Sequence, residues 1–426
     1  MTRAKSAGRG MGVAVAVALA WGTAVGAGGP TRPELPPVSD RARAVHDAGM
    51  LFDGHNDYPW LIRDEGDMAM SRIDFARSAP GQTDIPRLRK GGLKAQFWSV
   101  YIPSDYPNPT RTVVEQIDFV HRLIEKYPDD LQLALTADDV EAAVKAGKIA
   151  SLIGIEGGVA IDDSFAELRA FHRLGARYMT LTHNKTLAWA DAATDERKHG
   201  GLNEFGERVV AEMNRLGMLV DISHVSAETM ADVLRVSKAP VIASHSSAFA
   251  LCPVPRNVPD DILSGLKANG GVVMVNFYSA FLVPDARKKA ADARAEIRKA
   301  HPDRAEAREA IAEWFRNEPG AIRGTVATVV DHIDHIVKVA GIDHVGIGSD
   351  FDGIDLWPVG LDDASDYPRI TEELLRRGYS EPDIHKILGG NALRALRQAE
   401  VVARQLQAET PPQVDDIRHK NANHDD

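Results

Sequence analysis

Cysteine is nearly missing from this sequence. Cys252 stands alone among 426 residues, which excludes an intrachain disulfide and a lipid-modified cysteine at a leader cleavage site. An excess of positive charge is missing too. With 50 basic against 61 acidic residues the formal net charge is −11, the wrong sign for a phosphate-binding surface, so nucleic acid is excluded as a partner class. The apolar run near the start, Met11 to Trp21, falls well short of the ~20 residues a membrane-spanning helix needs. No Arg-Arg pair precedes it to suggest the twin-arginine route. The stretch from Gln413 to Asp426 is polar and charged and carries no hydrophobic anchor signal.

What is present begins with a leader pattern. Arg3, Lys5 and Arg9 precede the short apolar run, and the small residues Val25 and Ala27 stand at cleavage-site spacing. Basic, apolar and small-x-small in that order predict a signal peptide over residues 1–27 and an exported protein, periplasmic or secreted. Gly- and Pro-rich residues from Gly28 to Pro37 predict a flexible segment over 28–45. The catalytic domain is then expected over 46–405, with a polar tail over 406–426 and no stable membrane anchor in the mature chain. Hydrophobic content of 44% and charged content of 26% are ordinary for a globular enzyme.

Eight β-rich runs recur along the domain: Leu51–Asp57, Leu93–Ile102, Ile149–Glu156, Tyr178–His183, Leu219–His224, Val241–His245, Gly271–Tyr278 and His344–Asp350. Several are continuously apolar up to their last residue (ASLIGIE, MLVDISH, VIASH), as in parallel strands buried on both faces. Helical patterns such as Thr110–Tyr127, Ser164–Leu174, Phe205–Leu216 and Ala227–Ser237 lie between them. The alternation predicts an α/β protein, a (β/α)₈ TIM-type barrel, with a doubly wound open sheet as the alternative. The segment from Pro284 to Phe315, rich in Ala, Arg, Lys and Glu, predicts a helical insertion between strands seven and eight.

Polar residues fall where such a barrel does its chemistry. Strand one ends in His55 and Asp57, strand three in Glu156, and strands four, five and six in His183, His224 and His245. Strand eight ends in Asp350. Parallel strands bring all these ends to one face. A lone apolar strand ending in His is readily a packed core histidine. A whole set of ionisable strand ends is hard to attribute to packing, because such groups are rarely buried unless paired or metal-bound. His and carboxylate suit Zn²⁺, and also Mn²⁺ or Co²⁺. The His55-x-Asp57 spacing on a strand would point both side chains to one face. Asp352 competes with Asp350 in SDFDG, and Arg256, in the loop PVPRNVPD, could equally be a surface ion-pair residue. His121, His172, His332, His335 and His344 fall in or beside helical patterns and are taken as structural. Asp191 and His199 are loop residues near the expected mouth.

DGHNDYPW, GIEGG, YMTLTHN, DISHVS, ASHSS, RNVPD and GIGSDFDG, in this order from Leu51 to Asn391, resemble the membrane (renal) dipeptidase family of zinc peptidases. The resemblance implies a (β/α)₈ barrel with two zinc ions and hydrolysis of free dipeptides by a metal-bridged hydroxide. It implies His55, Asp57 and Glu156 on one ion and Glu156, His224 and His245 on the other, with Glu156 as the bridge. It further implies that His183 contacts the substrate carbonyl and the oxyanion, that Arg256 holds the substrate carboxylate, and that Asp350 meets the substrate amino end and transfers a proton to the leaving amine. The chain departs from the vertebrate pattern in lacking cysteine pairs and an anchor signal. A homodimer, which the family favours, would therefore be non-covalent.

Two other functions are open at this stage. One is a different barrel amidohydrolase acting on a cyclic amide, lactone or ester; many of those carry H-x-H on strand one and a bridging lysine on strand four, which this chain lacks. The other is a non-enzymatic exported binding protein.

Overall fold

In the computed structural model of the protein, which describes residues 35–302, 304–318 and 320–415, nine parallel strands form one sheet. They are β1 (Leu51–Asn56), β2 (Leu93–Tyr101), β3 (Leu131–Leu133), β4 (Ile149–Glu156), β5 (Ala176–Thr180), β6 (Leu219–Asp221), β7 (Ile242–Ala243), β8 (Val272–Val275) and β9 (Val345–Ile347). β2 pairs with β4 from Ala95↔Ala150 to Tyr101↔Glu156, and β9 pairs with β1, so the sheet closes on itself. Eight strands make the ring, as predicted. β3 is the addition: it pairs with the first residues of β4 at Leu131↔Ile149, while β5 takes over from Ile153 onward. Three residues are too few to stand out as a period-two run.

Two apolar cores follow from the closure. Alternate strand residues fill the interior, where Phe52, Phe97, Leu152, Tyr178 and Met274 share one buried cluster with Ala392, Ala395, Leu396 and Ala399 of the helix Asn391–Glu409. The other faces of the strands pack on the surrounding helices. The helix Pro109–Lys126 is representative, burying Val113, Ile117, Val120 and Ile124 at helical spacing. The helix Glu204–Leu216 is closed at both ends, by the Asn203 side chain accepting from the Gly206 N–H and by Gly217 at φ 79°.

The expected insertion lies between β8 and β9 as the helices Ala286–Ala300 and Arg304–Asn317. It touches the body through Ala286 and Ala290 against Leu356, with Arg294 3.5 Å from Asp355. Two expected boundaries move. The helix Asp40–Ala48, with Ala42, Val45 and His46 buried, runs through the end of the segment taken as flexible. The helix Asn391–Glu409 runs into the supposed tail, and Gln413 and Asp415 are hydrogen-bonded to the body. The leader over 1–27 lies outside the described residues. Among the described residues, no helix is long and apolar enough to cross a membrane.

Candidate metal centre and active site

Local backbone delivers the predicted residues to the barrel mouth in ways their spacing did not show. Glu156 is the last residue of β4, in register with Tyr101 of β2 and Thr180 of β5. The register of β1 against β2 shifts between Asp53 and Asn56, a bulge-like irregularity that re-aims side chains at a strand end. β1 stops at Asn56, and Asp57 caps the helix Tyr58–Asp64. The two ligand candidates of DGHND are therefore not neighbours on one strand face; they converge because the chain turns between them. Gly353 makes room for that turn, since a Cβ there would lie 2.1 Å from Asp57 Oδ2 and 2.8 Å from Asp350 Oδ1. His183, His224, His245 and Asp350 lie just beyond β5, β6, β7 and β9, not on them. His224 and Asp350 hold left-handed φ values of 68° and 64°, strain of the kind that clusters at functional sites.

These side chains meet around Glu156. Its Oε2 is 3.4 Å from His55 Nε2. Its Oε1 is 3.0 Å from His224 Nε2, 3.6 Å from His245 Nε2 and 3.8 Å from His183 Nε2. His55 Nε2 is also 3.3 Å from Asp57 Oδ2, and the Nε2 atoms of His224 and His245 are 3.0 Å apart. Ligand atoms close enough to share an ion fall into three overlapping groups: His55, Glu156 and His245; Glu156, His183 and His224; His55, Asp57 and Asp350. His55 Nε2 and Asp57 Oδ1 are buried without a hydrogen-bond partner. Although close to two carboxylates, His55 Nε2 is out of line for a hydrogen bond to either, as atoms that share a cation are. Buried groups left this way are costly unless something completes them, so the donor set fits a divalent metal.

The electrostatics agree. Burial holds His224 and His245 well below the ordinary imidazole range, keeping them neutral with lone pairs to offer. Burial alone would raise Glu156, but His55, His224 and His183 outweigh it and hold the carboxyl well below its usual range. Burial would depress His55, yet Tyr178, Asp57 and Glu156 hold it well above, because this spot calls for a cation. Asp350 is pushed up by burial and by the neighbouring carboxylates.

Arg256 is buried beside the cluster. It donates to Ser246 Oγ at 3.2 Å and to the His245 carbonyl at 3.3 Å, and lies over the Phe281 ring. Its Nε has no partner, and among the described residues no carboxylate lies within ion-pair distance of it. It is not a surface ion-pair residue. Asp352 faces away from the cluster, toward the loop at Gly81 and Gln82, whose backbone N–H it accepts at 2.5 Å; geometry thus separates it from Asp350. Asp191 accepts from the backbone N–H groups of Lys198, His199, Gly200 and Gly201, and His199 Nε2 is engaged by the Leu187 carbonyl, so both fasten a loop. His121, His332 and His344 each hold a backbone carbonyl, and His335 holds Asp260.

Several neighbours escaped the sequence. Tyr101 ends β2 and puts its hydroxyl 3.3 Å from His183 Nδ1. Asn276, just past β8, donates to Asp350 Oδ2 at 2.8 Å. Both stand at strand ends, the signal that found the others, but neither ionises near neutral pH as His, Asp and Glu do. Tyr178 reaches His55 Nδ1 at 2.8 Å from inside the barrel, packed so closely that a Cβ at Gly154 would lie 2.0 Å from its ring.

A family model described as membrane dipeptidase (peptidase family M19) matches residues 39–410. The chain belongs to this family. Dipeptidase aclJ of Aspergillus oryzae is 42% identical over 381 residues, covering 86% of this chain and 82% of that protein. The probable dipeptidase PvdM from Pseudomonas aeruginosa superposes with a TM-score of 0.72 at 26% identity, over 85% of this chain and 98% of its own. A metallo peptidase from Rhodobacter sphaeroides, solved with a phosphinate mimic of the dipeptide L-Ala-D-Ala, gives a TM-score of 0.66 at 25% identity, over 82% and 99% of the two chains. The membrane-dipeptidase family member described here is a metal-dependent dipeptidase, a hydrolase of peptide bonds.

Proposed function

We propose that this dipeptidase is an exported enzyme that works with two zinc ions, one held by His55, Asp57 and Glu156 and the other by Glu156, His224 and His245. The observation that carries this assignment is the division of the Glu156 carboxylate: Oε2 lies 3.4 Å from His55, whereas Oε1 lies 3.0 Å from His224 and 3.6 Å from His245. One oxygen per side is what a bridging ligand presents. His245 lies between the two sides, its ring centroid 3.8 Å from that of His55 and its Nε2 3.0 Å from that of His224, and we assign it to His224 as the family resemblance implies. His183, 3.8 Å from Glu156, is left for substrate. When bound, such a pair supplies an acidified water and a polarised carbonyl at neutral pH.

The remaining residues bind and orient the dipeptide. His183 presents Nε2 to the scissile carbonyl, its ring held at Nδ1 by the Tyr101 hydroxyl 3.3 Å away. Arg256, with no carboxylate of its own, receives the C-terminal carboxylate of the substrate, for which a guanidinium is a matched fork. Asp350, held through Oδ2 by Asn276, takes the free amino end and moves the proton to the leaving nitrogen. Reading both termini at once limits the substrate to two residues. Export rests on the leader pattern of residues 1–27. With Cys252 buried, association into a homodimer is non-covalent.

Metal content per chain, measured with a dipeptide assay before and after chelation, tests the centre; two ions and activity restored by zinc are expected, and one ion or none would sink it. Turnover of free dipeptides is expected to exceed that of N-blocked, amidated and cyclic analogues. Arg256→Lys should narrow the preference for a free carboxylate by on the order of a hundredfold, about 2.7 kcal/mol of barrier. Equal turnover of blocked forms by the parent would remove the two-ended recognition.

A further inference from the structure

We infer that Asp221 is a positioning residue: acting through Ser244, it fixes the tautomer of His245 and leaves that histidine's Nε2 bare toward the metal centre. This rests on His245 being a ligand, as proposed above. Asp221 ends β6 beneath the cluster and is buried. Its Oδ1 accepts the backbone N–H groups of Ser223 at 3.0 Å and Ser244 at 2.8 Å. Its Oδ2 accepts the hydroxyls of Thr180 at 2.5 Å and Ser244 at 2.6 Å. One carboxylate thus fastens the ends of three strands, β5, β6 and β7.

The proton count then runs one way. A serine hydroxyl has a single proton to donate, and Ser244 spends it on Asp221. Toward His245 Nδ1, 2.8 Å away, Ser244 Oγ is therefore an acceptor, and Nδ1 carries the hydrogen. In a neutral imidazole the other nitrogen is then bare. That nitrogen is the one 3.0 Å from His224 Nε2 and 3.6 Å from Glu156 Oε1. Ser223 Oγ also accepts the His245 backbone N–H at 3.1 Å, so ring and backbone are held from the same base. His224 Nδ1 has no such partner, which confines the effect to His245.

Asp221→Asn keeps the shape and reverses the count. The two backbone N–H groups keep the carboxamide oxygen at the Oδ1 position, so the amide nitrogen falls at Oδ2 and donates to Ser244. The Ser244 proton then turns to His245 Nδ1, and the imidazole hydrogen moves to Nε2. Zinc binding to the purified protein, measured by competition with a chromophoric chelator, should weaken at one of two sites on the order of 10–100-fold. Long-range ¹H–¹⁵N spectra of the metal-free protein should show His245 change from the Nδ1–H to the Nε2–H form. Ser244→Ala should weaken the same site, and Ser244→Thr should restore it; this pair decides the matter if Asp221→Asn does not fold. Parent affinity and an unchanged tautomer in the folded variants would overturn the inference. Two ions at parent affinity in His245→Ala would instead overturn the ligand assignment beneath it.

Discussion

Asp53 and Asp57 lie on the same segment, one in the barrel wall and one at its mouth, and their surroundings differ in kind. Asp53 accepts from the Ser349 backbone and hydroxyl at 2.7 and 2.6 Å, from the Tyr367 hydroxyl at 2.6 Å and from the His55 N–H at 3.3 Å. Asp57 has a buried oxygen with no partner and another 3.3 Å from a histidine nitrogen that also has none. Between the two regions generally the contrast is one of degree, since Gln96 beside Asp53 also keeps Oε1 without a partner while its nitrogen holds the carbonyls of Asp53 and Phe97. Lower in the wall, Asn391 donates to the carbonyls of Ile342 and Val345, at 2.8 and 2.9 Å. At the mouth, His55, Asp57, His224 and Arg256 each keep an unmatched atom. Buried polar groups in a folded chain are nearly always satisfied. A cluster that is not marks where something else binds, more sharply than residue type does.

Substitutions should break the two regions differently. The largest effect is expected for Glu156→Gln, which removes the shared charge from the cluster: kcat/KM should fall at least on the order of a thousandfold, about 4 kcal/mol of barrier, with bound metal lost and the circular dichroism spectrum unchanged. Activity near that of the parent would remove Glu156 from the centre. Next comes the pair Asp53→Ala and Asp57→Ala, compared by urea unfolding of the metal-free protein. Asp53→Ala strands buried donors and should cost about 3 kcal/mol of stability. Asp57→Ala should stay within about 0.5 kcal/mol of the parent while lowering turnover on the order of a hundredfold, about 2.7 kcal/mol of barrier, since Asp57 makes no side-chain cap bond to its helix. Equal destabilisation by both would erase the distinction between wall and mouth.

Much of the mouth was legible in the sequence because a buried parallel strand has no reason to end in His or Glu unless its end meets something polar. His55, Glu156, His183, His224, His245 and Asp350 all followed from that rule and from the family's motifs, and the structure gathers them. Geometry within the segments was not legible. His-x-Asp has the spacing of one strand face, but the strand ends a residue early and Asp57 stands at the N-cap position of the next helix. The runs read as strands were too long for a related reason: their last residues leave the ladder to turn into the site, which periodicity does not register. Tyr178 reads as an ordinary strand former, and only the missing side chain at Gly154 shows why its hydroxyl reaches His55. Asp221 was hidden inside DISH, where the histidine drew the eye. The alanines of Asn391–Glu409 look like those of any outer helix until the barrel interior is known.

Acid should find the body before the mouth is considered. Burial lowers His46 and His332 to about 4. His46 is locked between Thr371 and the Gly91 carbonyl, and His332 between the Ala248 N–H and the Leu282 carbonyl. Above pH 6.5 both are neutral, folded or unfolded, and their contribution to stability is fully present. As pH falls from 6.5 toward 4 the unfolded chain takes up protons that the folded one refuses, and that contribution is lost. Between pH 7 and pH 5 each should cost about 2 kcal/mol. Urea midpoints of the metal-free protein should fall across this range, with His172, His224 and His245, which burial also depresses, adding to the slope, and His332→Gln should remove about 2 kcal/mol of it. A flat profile over that range would mean that both rings take a proton without unfolding.

The smallest effect tests whether residues beyond the last helix belong to the body. The helix Phe165–Arg173 begins at Ser164, whose side chain caps nothing within the helix. Asp415 does the capping from a distance of 250 residues, with Oδ1 accepting the Phe165 N–H and Oδ2 the Ser164 hydroxyl, each at 3.0 Å. Arg208 donates to the Val414 carbonyl at 2.8 Å, and Gln413 donates to Glu212 at 3.0 Å, so the strap is held along its length. Loss of a helix cap costs about 1 kcal/mol. Asp415→Ala should therefore lower the urea midpoint by a small, reproducible step, Asp415→Asn should recover most of it, and dipeptide turnover should stay at the parent value in both. No shift in Asp415→Ala would mean that the helix start is satisfied without the strap, and that the chain past Glu409 adds nothing to the body it lies on.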